Sequence, residues 1–576
     1  MTNPIFLDRR DVLPGLSKRL DGFRSGYRQN VALLGEEGMG KTAILKQLLR
    51  GPLRGSDLIP VYVETGESEN LVEWATRFIQ ALLYAVLESQ GCESLPDRWP
   101  DLLERCSSTV PRVTAASRKI LDLAEAGRSD LAYQQIWDLP HWVSQDLGCR
   151  VVLLLDEFHR LRFLPVKEPF RLVGRKIMVQ NSVLYLVTSS DPAAARGILR
   201  EGFALLFGQF ETVEVKPLGS AECQKAVRAA WLECRQAPFC ESLVVEWGQG
   251  RPDLLALLLE GIRKEQDSQP AVGPEGILLD LLERLFLDAE SAVRRRFEAR
   301  LRSLPDHWSR LYCVHLLAVI AGGVRRLPEM AEATGRPLSQ VRRFLGALEQ
   351  SQLVAKDGTL YRVPDRFFQL WLVTAYPALQ GIGFTDLSRA KVRFRETLRS
   401  RMEQYRVEFQ RPLEDRILAW MRAWAGDGIE MDGRRIQLPR WDTVRRERLA
   451  SGTPVLVGQG KPNRKTKGWA MVLSAEPLSE GTGNQVAVDL MRQYRHERKF
   501  LIPLASLDIN ARLVLQQAKI RVWDLPWVNH LFERYGMTRI LVPEGLEPAS
   551  VSGEALVFPP AETPVVPGSE SKGAAG

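Results

Sequence analysis

Gly35-Glu36-Glu37-Gly38-Met39-Gly40-Lys41-Thr42 is the stretch on which the reading of this chain turns. Its pattern is G-x-x-x-x-G-K-T, and the flanks supply the context that such a loop requires. Upstream, Asn30-Val31-Ala32-Leu33-Leu34 is an apolar run of strand length. Downstream, Ala43 to Arg50 carries Ile44, Leu45, Leu48 and Leu49 at helical spacing. A glycine loop between a strand and a helix turns backbone N–H groups inward at the positive end of the helix, where phosphate binds. Residues 35–42 and the amide of Ala43 are therefore the candidate phosphate cradle. Lys41 adds a point charge at the β/γ-phosphates and Thr42 offers a hydroxyl to Mg²⁺. ATP and Mg²⁺ are the expected ligands.

The 576 residues call for three or four domains. A content of 45% hydrophobic and 26% charged residues is that of ordinary globular protein. No apolar run approaches the roughly 18 residues of a membrane span, and the first ten residues lack a signal-peptide layout. The seven cysteines are scattered without a C-x-x-C pair, which disfavours a zinc ribbon or disulfide framework and fits a reducing cytoplasm. With six histidines, a His-based metal site is not expected. The net charge of +8 is uneven: residues 381–540 hold 29 Lys/Arg against 18 Asp/Glu. A basic C-terminal part suits a polyanion partner, and equally a solvated face.

Beyond the glycine loop, Leu58 to Glu64 reads as a second strand, and residues 71–150 as helical with breaks at Pro96, Pro100 and Pro111. The very apolar Val151-Val152-Leu153-Leu154-Leu155 then ends in Asp156-Glu157. A buried parallel strand delivers such carboxylates at its C-terminal end, beside the phosphate loop. Asp156 is the expected Mg²⁺ holder, and Glu157 the group that orients and deprotonates the attacking water. Another buried strand, Ser182 to Val187, ends in Thr188-Ser189-Ser190-Asp191. One of its hydroxyls, with Ser189 the choice, is a candidate sensor of the γ-phosphate or the lytic water. Glu211 to Val215 reads as an edge strand. Residues 217–300 read as a helical lid, in which Arg251, just before Pro252 at a helix start, is a candidate to reach the γ-phosphate.

GEEGMGKT, LLLDEFHRL, LVTSSD and GQGRPDLL, in this order and spacing, resemble the AAA+-related P-loop ATPases of the archaeal-ATPase/STAND group. The resemblance covers roughly the first 370 residues and implies an ATPase core, a helical lid and a winged helix. Members often carry an arginine after a turn of the LYG type, which acts on a neighbouring subunit's nucleotide. Here the turn is Leu206-Phe207-Gly208-Gln209, and Arg200 or Arg175 are the substitutes available.

Residues 306–372 read as a winged helix: a helix from His307, a short one stopped by Gly335, a third after Pro337, and a hairpin around Lys356-Asp357-Gly358-Thr359. Arg336, Arg342 and Arg343, on or near the candidate recognition helix, are candidate DNA contacts. In this ATPase group the module also serves as packing within the lid.

From about 390 to 545, helix, strands, helix, strand and helix follow in an order that resembles the PD-(D/E)xK nuclease fold. Carried over by position, Glu414 lies on the first helix, Asp442 is the metal-binding acid, Gln459 takes the second acid's place and Lys461 is the lysine. Two acids around Mg²⁺ would activate water, and the lysine would stabilise developing charge on phosphate. Gln459 is a departure, since an amide holds Mg²⁺ more weakly than a carboxylate; an inactive, DNA-binding or scaffolding version follows. Arg464, Lys465 and Lys467 crowd the same loop as candidate phosphate contacts. Residues 548–576, rich in Pro, Gly, Ser and Glu, read as a disordered tail.

The expectation is an α/β protein: a parallel P-loop ATPase core at 1–216, helical lid at 217–304, winged helix at 305–375, a basic α/β domain resembling restriction endonucleases at 390–545, and a tail. The expected function is that of a cytoplasmic Mg²⁺-dependent ATPase that couples nucleotide state to DNA through its C-terminal half. The alternatives are an ATP-regulated nuclease of a defence or mobile-element system and an ATP-switched scaffold assembling with protein partners or copies of itself.

Overall fold

Five apolar runs pair side by side to make the first sheet: β1 (Asn30–Leu34), β2 (Leu58–Glu64), β3 (Arg150–Asp156), β4 (Val183–Ser189) and β5 (Phe210–Glu214). The computed structural model describes Arg9 and residues 12–53, 57–66, 70–92, 94–203, 210–304, 307–380, 387–431, 434–460 and 468–541. These divide into two compact units, 1–356 with 361–410, and 357–360 with 411–576.

The first sheet is parallel throughout, in the order β2-β3-β4-β1-β5. Every residue of β1 and β4 is buried, and all of β3 beyond Arg150, as a parallel sheet covered on both faces demands. Alternation splits β1 between two cores: Ala32 and Leu34 face one, Val31 and Leu33 the other. Helices α1 (Leu13–Arg24) and α2 (Lys41–Arg50) cover one face with Leu16, Leu20, Phe23, Ile44, Leu45 and Leu48. The other is covered by α3 (Leu71–Ser89), α4 (Trp99–Cys106), α5 (Pro111–Glu125), α6 (Ser129–Ile136), α7 (Leu139–Leu147) and α8 (Pro169–Val179). There Trp74, Phe78, Tyr133 and Trp137 interlock, Trp74 and Phe78 with ring centroids 5.4 Å apart. Because β4 lies between β1 and β3, its C-terminal residues stand between the glycine loop and the acids.

After α9 (Pro192–Gly197) and β5 comes a run of helices: α10 (Ser220–Ala230), α11 (Pro238–Gly248), α12 (Pro252–Ser268), α13 (Pro274–Leu287) and α14 (Ala292–Arg302). A helix-turn-helix follows, α15 (His307–Ala321), α16 (Leu327–Thr334) and α17 (Leu338–Gln350). Gly335, at φ +62°, ends α16 in the left-handed conformation that favours glycine. The two-stranded hairpin β6 (Ala355–Asp357) and β7 (Leu360–Arg362) comes next, and α18 (Arg366–Gln380) and α19 (Leu387–Gln410) complete the unit. Phe286 of α13, Phe297 of α14, Phe367 of α18 and Phe394 of α19 meet in one cluster, Phe286 and Phe367 at 4.9 Å. Arg395 of α19 pairs with Asp280 at 2.6 Å and with Glu283. The arginine-rich helix that the sequence reading places at the start of the third domain thus packs on α13, within the compact unit that runs to 410.

In the second unit α20 (Leu413–Ala423) and the hairpin β8 (Gly428–Met431) and β9 (Arg434–Gln437) precede a five-stranded sheet. Its strands are β10 (Thr443–Arg448), β11 (Pro454–Gln459), β12 (Trp469–Ser474), β13 (Arg498–Pro503) and β14 (Arg521–Val522), paired in sequence order. β10, β11 and β12 run antiparallel, and β12, β13 and β14 parallel. The parallel connections are the helices α21 (Glu480–Gln493) and α22 (Ile509–Gln517), which share a core with Val455, Val472 and Leu501. On the opposite face α20 and α23 (Leu525–Arg534) bury Trp420, Trp469, Phe500 and Phe532. Leu360, from the hairpin turn counted with this unit, joins that core. The edge strand β10 exposes Arg445, Arg446 and Arg448.

Candidate functional site: a phosphate loop facing paired acids

The glycines of the loop are fixed by space and conformation. A Cβ on Gly35 would stand 2.6 Å from the carbonyl oxygen of Val215, and Gly38 and Gly40 have φ of +83° and +81°. Gly40 caps α2 and brings no side chain to compete for the amides of the first turn, which remain for an anion. Lys41, 4% exposed, donates from Nζ to the carbonyl oxygens of Gly35 (2.8 Å) and Glu36 (2.9 Å). Burial pulls its pKa below the ordinary lysine value, against the opposing pull of the Glu157 and Asp156 carboxylates.

Asp156, 2% exposed at the end of β3, gathers hydroxyls around it. Oδ2 accepts from Thr42 Oγ1 at 2.7 Å and from Tyr62 OH at 3.0 Å, and Oδ1 accepts from Thr188 Oγ1. Burial, then the Asp156 charge, drives the Tyr62 phenol far above its ordinary pKa, so it stays a donor. Thr65 Oγ1 fixes the backbone carbonyl of Asp156 at 2.9 Å. Glu157 turns the chain through φ +57°, left-handed for a residue with a Cβ. Its amide donates to Thr188 Oγ1 at 3.1 Å, and its Oε2 accepts from the amide and hydroxyl of Ser190, each at 2.8 Å. His159 Nδ1 lies 3.3 Å from the same Oε2 and 3.0 Å from Ser189 Oγ.

Ser189, the expected sensor, donates its hydroxyl to the Asp191 carbonyl and lies 3.0 Å from His159 Nδ1, while Thr188 Oγ1 donates to the Asp156 carboxylate and accepts from the Glu157 amide. Arg251, expected to reach the γ-phosphate, is the residue immediately before α12. It pairs with Asp253 at 2.8 Å and lies 3.7 Å from Asp365, and the Asp253 amide reaches the Gly38 carbonyl at 3.4 Å. Burial works against the Arg251 cation, but the Asp253 hydrogen bond and charge outweigh it and raise its pKa. Three residues here escaped the sequence reading. Tyr62 and His159 lie within quoted segments that gave them no role. Arg9, 2% exposed, donates to the carbonyls of Met39 (2.7 Å) and Lys216 (2.8 Å), tying the loop to the chain that leads into α10.

Arg336, Arg342 and Arg343 are exposed on the helix-turn-helix, Arg343 over the Phe344 ring at 4.9 Å and Arg336 over Tyr312 at 5.8 Å. Arg175 is exposed on α8 and Arg200 pairs with its neighbour Glu201; the turn at 206–209 lies outside the described residues. In the second unit the Asp442 amide donates to the Gln459 carbonyl at 2.9 Å, so these two stand side by side, while Glu414 sits in the first turn of α20. Among the described residues, no group of three or more His, Cys, Asp or Glu is placed to hold a metal. Lys461, Arg464, Lys465, Lys467 and the tail at 548–576 lie outside the described residues. Among those described, no helix is long and apolar enough to cross a membrane.

Residues 6–183 match the AAA ATPase domain family, and residues 314–358 match the IclR helix-turn-helix domain family. No curated protein matches the chain. Among solved structures, the Walker-type ATPase paby2304 of Pyrococcus abyssi is similar at 16% identity and a TM-score of 0.42, over 64% of this chain and 96% of its own. The ORC2 protein of Aeropyrum pernix, in ADPNP–ADP complexes, is similar at 15% identity and TM-score 0.40, over 66% of this chain and 96% of its own. The ORC1 protein of the same organism, in complex with DNA, is similar at 15% identity and TM-score 0.35, with the same coverage.

Proposed function

We propose that this protein is a Mg²⁺-dependent ATPase that couples its nucleotide state to DNA binding through the helix-turn-helix and the basic C-terminal unit. The observation that carries the proposal is the gathering of Thr42, Thr188 and Tyr62 on the one carboxylate of Asp156, beside the glycine loop and next to Glu157. A hydroxyl and a carboxylate 2.7 Å apart are the hard oxygen donors that Mg²⁺ prefers, so the donor set fits the ion. Thr42 and Asp156 would hold it, and bound there the ion neutralises charge on the phosphates. The amides of residues 35–43 and Lys41 hold the polyphosphate. Glu157 orients the water and takes its proton, and Thr188, bonded to the Asp156 carboxylate and the Glu157 backbone amide, sets their spacing. Arg251 supplies a cation from the lid. Domains follow the sequence reading, with a core to 216, lid to 304 and winged helix to 375, in the cytoplasm; oligomer formation is part of the proposal only as a consequence of the ATPase type.

The second unit is proposed as a PD-(D/E)xK-like fold, supported by a helix, an antiparallel three-strand meander, a crossover helix and a parallel strand in that order. The adjacency of Asp442 and Gln459 favours a second reading, in which this site cuts nucleic acid. One set of reactions tests both: ATP turnover with Mg²⁺, with and without duplex or single-stranded DNA, the DNA then run on a gel. DNA-stimulated turnover is expected, with Glu157→Gln binding ATP but turning it over about 100-fold or more slowly. Unchanged turnover in that variant would overturn the assignment of Glu157. Nicks that vanish in Asp442→Ala would establish the nuclease reading, and intact DNA would remove it.

A further inference from the structure

The topology of the second sheet brings its cations to one end. β12, β13 and β14 are parallel, so all three start at the same end; β11 finishes there and β10 starts there, because each runs antiparallel to its neighbour. Among the described residues, the entries into β10, β13 and β14 at this end carry positive charge. Arg440 precedes β10, Arg495 and Arg498 lead into β13, and Lys519 and Arg521 lead into β14. All five are exposed. The end is closely knit. The Arg498 amide donates to the Gly468 carbonyl at 2.7 Å, and a Cβ on Gly468 would lie 3.1 Å from Glu497 Cγ and 3.7 Å from Gln459 Cγ. Partial burial, then the neighbouring charge of Arg498, holds the Arg521 guanidinium below its ordinary pKa. Like charges crowded in this way lose free energy when an anion settles over them. By contrast the arginines of the β10 edge already have carboxylates, Arg445 with Glu447 and Arg446 with Asp415.

We infer that this end of the sheet, with Arg440, Arg495, Arg498, Lys519 and Arg521, is a seat for the phosphodiester backbone of a nucleic acid. The inference rests on the proposed DNA coupling and gives it a location apart from the helix-turn-helix. The contacts are to phosphate, so they set affinity and salt dependence and leave sequence choice to other groups. The residues come from three separate connections, which is why none of the sequence runs announces the site.

The test uses the full chain, a fluorescent duplex of about 25 base pairs and a single strand of the same length, with anisotropy read over a KCl series. Wild type is expected to bind with a salt-dependent affinity, and the comparison of duplex with strand says which form of the backbone is held. Arg498→Glu with Arg521→Glu should bind about tenfold or more weakly, with a log–log salt slope shallower by about two, and ATP turnover without DNA unchanged. The Gln pair of variants should lie between, and the Lys pair near wild type; both guard against a folding defect. Full affinity and slope in the Glu pair, with binding lost instead in Arg342→Glu with Arg343→Glu, would overturn this inference and leave the DNA reading standing. A wild-type protein that holds neither duplex nor strand would overturn both.

Discussion

Thr188 and Ser189 show what one residue's direction decides. The run Leu186-Val187-Thr188-Ser189 is buried on both faces, so its pattern carries no alternation of apolar and polar to say which hydroxyl points where. The sequence therefore yields a sensor strand but not its sensor. Only the placement of β4 between β1 and β3 turns Thr188 to Asp156 and the Glu157 amide, and Ser189 to His159. Thr188→Val keeps the shape and removes both bonds. Hydrogen bonds to charged groups contribute about 1.5–3 kcal/mol, so turnover should fall roughly 10- to 100-fold. Ser189→Ala should change turnover by less than about threefold, since its bonds reach neither acid directly. Steady-state ATP hydrolysis of the two variants checks the order, and equal losses would return the sensor role to the whole turn. The glycine loop and the acids, by contrast, are legible because their chemistry needs fixed residue types in one continuous stretch.

Helices were legible as elements but not as partners. The period of Ala390, Phe394, Leu398 and Met402 defines an apolar stripe on α19, yet nothing in that stripe says which surface covers it. The structure answers with Phe286, fully buried where α13, α14, α18 and α19 meet. Truncation there removes the shared ring from several helices at once. Phe286→Ala should cost about 3–5 kcal/mol, against about 1.5 kcal/mol or less for Phe286→Leu. Chemical denaturation of the first unit, followed by its tryptophans, would measure both. A loss confined to about 1 kcal/mol would mean that the four helices rely little on one another.

At the scale of the whole molecule, one contribution to acid stability comes from a single ring. Burial keeps the His159 imidazole below its ordinary pKa, against the pull of Glu157 and Asp191 and helped by Arg162 and Arg160. Folded His159 thus takes up a proton less readily than unfolded His159. In the window below its unfolded pKa, about 6.5, the unfolded chain binds more protons, and stability falls as pH falls. Above that value the term is flat. Between about pH 7.5 and 5.5 the melting temperature of wild type should drop more steeply than that of His159→Gln, whatever their difference at the higher pH. Parallel profiles would mean that other groups govern the acid limb.

The edge strand β10 carries a consequence for how the protein keeps in solution. A sheet edge offers unpaired backbone groups that can template a strand from another molecule. Here that edge is short and lined by Arg445, Arg446 and Arg448, with the carboxylates of Glu447 and Asp415 held against the first two. A second copy arriving edge to edge would have to displace those carboxylates and set arginine against arginine, which costs free energy along the strand. The arrangement guards against aggregation at high concentration. The guard weakens as salt screens the charges, so crowded, salt-rich solutions are where this protein should first turn cloudy.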